Sequence, residues 1–301
     1  MNPPSGPIAR LRGDWPFAAG KSPVFYGWIM AVIATLGILL SVPGQTMGMA
    51  VFADAFIEVT GLSRTELSLA YMLGTITSAF FLTRAGRWFD VHGARIVLIA
   101  ASLMLGMSIL FLSLVDRASD YLATVIGIHG SIIAFSLMVV GYFGVRFSGQ
   151  GVMTSASRNM LLLWFERRRG LVSGVSGVFV SLGFSSAPSL LAMLIDDWQW
   201  RAALWWLAVI VGPVFALLCF LLVRDGPEVC SLQADNQPAT SQIGHQQTHK
   251  DSHTLKQVRG NIVFWLYSLG LSIHALFGTA VTFHIVAICP EAGRSTAEAF
   301  A

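Results

Sequence analysis

In a chain of 301 residues, 54% are hydrophobic, only 12% are charged and the mean hydropathy is +0.66, which argues against a water-soluble fold. The net charge of +3 is small and its basic residues are sorted along the chain, so no nucleic-acid partner is expected. Cys219, Cys230 and Cys289 lie far apart without CxxC spacing, which argues against a disulfide framework or a zinc site; no cofactor and no metal are expected.

The chain opens on a Pro/Gly-rich tail with scattered Arg, residues 1–25. The apolar run behind it is too long for a cleavable signal. Apolar runs long enough for a bilayer, which takes about 20 residues, then follow in order. They are Trp28 to Val51, Leu67 to Thr83, Ile96 to Val115, Ser131 to Leu163, Leu171 to Ile195, Ala202 to Val223 and Ile262 to Ile288. Each is predicted to be a helix, because an isolated strand in hydrocarbon leaves its backbone donors and acceptors unpaired. Asp116 to Gly130 starts too polar to span and reads as a short excursion between the third and fourth spans. Asp225 to Val258, rich in Gln, Asn, Ser and His, reads as a flexible linker. His245, His249 and His253 within it would align only on a helix, which Gly244 and the polar composition oppose, so a solvated linker is the expectation rather than a metal site.

Lys and Arg set the orientation. With the amino terminus in the cytoplasm, fourteen basic residues, among them Arg84, Arg87, Arg95 and Arg167 to Arg169, face inward, and four, Arg64, Arg117, Arg201 and Arg294, face outward. The expected location is therefore a plasma or bacterial inner membrane, with lipid around a multi-pass chain. Gly61, Ser63 and Glu66 after the first span recur as Gly293, Ser295 and Glu298 after the seventh, 232 residues on. This G-x-S-x-x-E pair, at equivalent points of the topology, reads as an internal duplication.

After the second span the chain runs Arg84-Ala-Gly86-Arg87-Trp-Phe-Asp90-Val-His-Gly93-Ala94-Arg95. The glycines suit a tight turn, Asp90 suits the positive end of a neighbouring helix, and the arginines suit the cytoplasmic side. The stretch resembles the signature loop of the major facilitator superfamily, in the variant of its monocarboxylate-porter and oxalate/formate-antiporter branch. Further stretches resemble the same branch: Phe25-Tyr26-Gly27-Trp28, Arg146-Phe-Ser-Gly149-Gln150-Gly151, Trp164-Phe165-Glu166-Arg167, Trp200-Arg201-Ala202 and Arg224-Asp225-Gly226-Pro227-Glu228. The resemblance implies an all-α membrane protein, a major-facilitator-type helical bundle. It would have a six-helix half over residues 26–224, a cytoplasmic linker over 225–258 and the start of a second half over 259–301. It further implies a transporter rather than an enzyme, and one whose transport path needs the rest of the second half or a second chain.

Arg146 stands near the middle of the fourth span, where a bare guanidinium costs at least a few kcal/mol unless a wet cavity or a partner compensates. One reading has it grip a substrate carboxylate through paired hydrogen bonds; the other has it bond protein carbonyls from a neighbouring helix. His284 on the seventh span resembles a histidine often found there in this branch. It would donate to a carboxylate or take up a co-transported proton, or else bond a backbone carbonyl. Gln45 and Thr46 sit where Pro43 and Gly44 are expected to break the first span and free backbone groups for a ligand, although packing through Gly44 and Gly48 is the alternative. Gly170, Gly174, Gly177 and Gly183 are expected to let the fifth span pack closely or rock. The expected solute is a small organic anion, a monocarboxylate, moved with a proton or in exchange.

Overall fold

The computed structural model describes residues 15–127, 129–236 and 255–293, and among these every regular element is a helix. Two compact units meet in sequence between Asn236 and Gln237. His245, His249 and His253, and with them Ser295 and Glu298 of the repeat, lie outside the described residues.

The first unit begins with α1 (Gly27–Leu40), a single 3-10 turn (Val42–Gly44), α2 (Thr46–Ala50) and α3 (Ala53–Thr60). Pro43 and Gly44 therefore do interrupt the first span. Gln45 behind them is extended (φ −87°, ψ 159°) before the helix resumes. The second span starts with a capping box: the Ser63 hydroxyl accepts from the Glu66 N–H while the Glu66 carboxylate accepts from the Ser63 N–H.

That span opens α4 (Arg64–Ser113), whose 50 residues would reach about 75 Å if straight, against a hydrocarbon core of about 30 Å. The chain reverses at Gly93, whose positive φ of 83° only glycine adopts freely, so α4 holds the second and third spans. The same holds for α8 (Arg169–Val209), where Gln199 at φ 66° separates the fifth span from the sixth. The sixth continues through a π-helical stretch (Ile210–Val214) into α9 (Phe215–Leu222). Between α4 and the fourth span runs α5 (Val115–Ile126), so the polar excursion is itself a short helix, ended by Gly127 in the left-handed region. The fourth span is continuous from α6 (Gly130–Val145) through a π-helical stretch (Arg146–Met153) into α7 (Thr154–Trp164).

Among the described residues four helical stretches are long and apolar enough to cross a membrane, and two of them, those with the reversals at Gly93 and Gln199, are long enough to do so twice. Their outward faces are apolar: Phe80, Met107, Leu182 and Leu217 are all exposed, an arrangement that only hydrocarbon solvates well. Gly183 seats Leu39, but nothing lies within 4 Å of where a Cβ would stand on Gly170, Gly174 or Gly177. Residues 225–236, placed in the free linker by their polarity, pack with the first unit: Asp225 accepts from the Arg95 N–H and Asp235 from the Glu166 and Arg167 N–H groups.

The second unit contains α10 (Leu255–Arg259) and the seventh span, α11 (Ile262–Glu291), a 30-residue helix.

Candidate functional site

The break in the first span and the π-helical stretch of the fourth lie against each other. A Cβ on Gly44 would stand 2.5 Å from the Val145 carbonyl oxygen and 2.7 Å from the Gly149 Cα, so the two backbones touch where neither carries a side chain. This contact brings the Gly44 carbonyl, left without a helical partner by the break, to Arg146, whose Nη1 donates to it at 3.1 Å. Arg146 is 5% exposed, and its guanidinium carbon lies 5.2 Å from the centre of the Tyr71 ring, within cation–π range. Its Nε is buried without a hydrogen-bond partner among the described residues. Among the described residues the ion pairs join Arg64 to Asp54 and Arg201 to Asp116, and none includes Arg146.

Around the arginine lies a polar shell drawn from three spans. The Tyr71 hydroxyl donates to Thr46 Oγ1 at 2.9 Å. Gln45 Nε2 donates to Ser41 Oγ at 3.0 Å and to Thr154 Oγ1 at 3.3 Å, and Thr154 Oγ1 donates to Ser41 Oγ at 3.0 Å. Tyr142 packs edge-on to Tyr71 with ring centres 5.1 Å apart, and its hydroxyl is buried with no hydrogen-bond partner among the described residues.

The structure thus brings Arg146, Gln45 and Thr46 together, while His284 belongs to α11 in the second unit. The bond from Arg146 to a carbonyl of a neighbouring span is the contact that the second reading of this residue expected. Sequence reasoning passed over Ser41, Tyr71, Tyr142 and Thr154. Tyr142 carries a usable signal: it lies four residues before Arg146, on the same helical face. Tyr71 carries a weaker one, a phenol inside an apolar run, which needs a hydrogen-bond partner when buried.

The signature stretch departs from its expected form. It is helical through His92, and the whole reversal occurs at Gly93, so Gly86 makes no turn and has open space beside it. Arg87 and Asp90 are exposed. The carboxylate that meets the start of the third span is Asp225, which fills the place of a Gly93 side chain and accepts from the Arg95 N–H at 2.9 Å. Asp90 itself lies on the helical stretch just before the reversal. Arg95, expected on the cytoplasmic side, is 1% exposed and donates through Nε and Nη2 to the Phe220 carbonyl. Burial, and then the nearby charge of Arg224, push its pKa down.

No curated protein and no solved structure matches the chain. The family model described as Major Facilitator Superfamily matches residues 34–293, a stretch that takes in the broken first span, the Gly93 reversal, the Arg146 shell and α11. With that match over most of its length and its apolar helices long enough for a bilayer, the chain belongs to the major facilitator superfamily, integral membrane secondary transporters of small solutes.

Proposed function

We propose that the protein moves a small organic anion, a monocarboxylate, by alternating access, coupled to a proton or in exchange. Arg146 binds the carboxylate, Gln45 and Thr46 line the same site from the broken first span, and His284 assists or carries the proton. The amino terminus faces the cytoplasm of a plasma or bacterial inner membrane, as the distribution of Lys and Arg favours. The observation that carries the reading is the Arg146 guanidinium, buried near the middle of the fourth span, with its Nε unpartnered and with no ion pair among the described residues. A buried charge left this way is unfavourable by several kcal/mol, and a carboxylate delivered by the solute relieves it.

The test is binding and uptake of formate, acetate and lactate by protein purified in detergent and reconstituted in liposomes, compared with Arg146→Gln. Loss of one charge-assisted hydrogen-bonded pair is expected to weaken apparent affinity roughly tenfold or more. Equal affinity in both proteins removes Arg146 from the site. The bond from Nη1 to the Gly44 carbonyl favours a second reading, a neutral or hydrophobic solute with Arg146 holding the bundle. In that case Arg146→Gln lowers the melting temperature and leaves solute affinity as it was.

A further inference from the structure

The end of the first unit that carries the Gly93 reversal holds two buried arginines, Arg95 and Arg224, each 1% exposed. Two guanidinium groups near one another and out of water need compensation, and Arg95 Nη1 has no hydrogen-bond partner among the described residues. Aromatic rings supply it. The Arg95 guanidinium carbon lies 5.6 Å from the Trp15 ring centre and 5.2 Å from that of Phe220; that of Arg224 lies 5.0 Å from Phe17 and 5.9 Å from Tyr26.

Trp15 and Phe17 both come from the segment ahead of the first span. Trp15 also meets Phe220 edge-on at 5.0 Å, the Phe17 carbonyl accepts from Arg224 Nη2 at 3.3 Å, and Gly20 lies against the Cys230 carbonyl. Behind the arginines stands Asp225, which holds the Arg95 N–H and fills the space beside Gly93. The segment, the two arginines, Asp225 and the reversal are therefore one contiguous set of contacts. The hold is nonetheless light, because Trp15 and Phe17 remain 47% and 42% exposed.

We propose that residues 15–22 form a releasable strap. Trp15 and Phe17 press Arg95 and Arg224 onto the end of the sixth span and thereby fix the reversal between the second and third spans; when the strap lifts, that end of the bundle loosens. A segment held by a few ring contacts opens far more often than the helices beneath it. The strap is independent of which solute Arg146 meets.

Hydrogen exchange on the purified full chain tests it without any transport assay. The first N–H groups of a helix lack intrahelical acceptors, so the protection of the Arg95 amide reports its bond to Asp225. In Trp15→Leu/Phe17→Leu, which keeps apolar bulk but removes the ring faces, exchange at Arg95 to Val97 is expected to speed up roughly tenfold. Exchange at Leu112 to Val115, the far end of the same span, should stay as it was. Trp15→Phe/Phe17→Tyr, which keeps ring faces, should match the unmodified protein. Where the double leucine protein does not purify, Trp15→Leu alone carries the same expectation at a half-exposed side chain. Unchanged exchange at Arg95, equal acceleration at both ends of the span, or acceleration in the ring-retaining protein as large as in the leucine one overturns the strap.

Discussion

At the residue scale the decisive positions are those where a side chain is missing. Gly44 lets the first span touch the fourth, and a methyl group there would press on the Val145 carbonyl at 2.5 Å and on Gly149 at 2.7 Å, both backbone atoms that yield only if a helix moves. Gly44→Ala is therefore expected to destabilise the protein by about 1–3 kcal/mol and to shift the carbonyl that holds Arg146. Gly177→Ala, with nothing within 4 Å, is expected to leave stability unchanged or slightly raised through helix propensity. Thermal unfolding of the two proteins in detergent checks the contrast, and a Gly44→Ala protein that melts with the unmodified one refutes the close approach. Arg146 was legible in the sequence because a lone charge in an apolar run stands out. Its contact with Tyr71 was not, because Tyr71 comes from another span and the π-helical stretch changes which residues share the face of Arg146. The burial of Arg95 left no mark in the sequence for a related reason: charge counts assign a side to a basic residue but say nothing of the rings of Trp15 and Phe220 that pack on it.

At the scale of elements, the third and sixth spans are fastened along their length. In the middle, Ser102 donates to the Val211 and Gly212 carbonyls, and Gly106 approaches the backbone at Ala208 and Gly212. At the reversal end Asp225 and Arg95 join them. At the opposite end Arg201 donates to both oxygens of Asp116 and to the Ser113 carbonyl, while the Trp205 indole N–H donates to the Ser113 hydroxyl at 3.0 Å. Burial pushes the Asp116 carboxyl up, but the Arg201 hydrogen bonds, the neighbouring backbone N–H groups and the Arg201 charge outweigh it and hold the pKa below its usual value. A carboxylate depressed in the folded state stabilises fully above its unfolded pKa, about 3.9, and that contribution is lost as pH falls through the lower folded value. The melting temperature is accordingly expected to drop on acidification from pH 5 toward pH 3. Asp116→Asn should melt lower than the unmodified protein at pH 7 and converge with it in acid. A constant difference at all pH values would show that the pair does not titrate with folding. In the sequence Asp116 and Arg201 were only charges near span ends, since a pairing across 85 residues leaves no local pattern.

At the scale of the whole molecule, the fold class was readable because hydropathy alone selects helices in a solvent without hydrogen bonds. The seven apolar runs lie on helix, the first of them broken at Pro43 to Gln45, while the reversals at Gly93 and Gln199 are sharper than any loop their flanking residues suggested. The aromatic stretches that looked like family marks also have a physical purpose: Phe25, Tyr26 and Trp28 pack with Trp164 and Phe165, closing one end of the first unit between the first and fourth spans. Orientation is the one global property that packing does not determine, because either end could face either side. Its determinant is electrostatic. Arg84, Arg87 and Arg167 to Arg169 lie at the end of the bundle with the Gly93 reversal, and clusters of Lys and Arg are retained on the cytoplasmic side during insertion. A single cysteine introduced at Gly127, in a background with Cys219, Cys230 and Cys289 changed to Ser, is thus expected to react with a membrane-impermeant maleimide in intact cells. One at Arg87 should react only after the membrane is permeabilised. Both positions are exposed, so access to the reagent depends on the side of the membrane rather than on packing. Labelling of Arg87→Cys but not Gly127→Cys in intact cells would invert the molecule, and would turn the strap at Trp15 and Phe17 toward the outside.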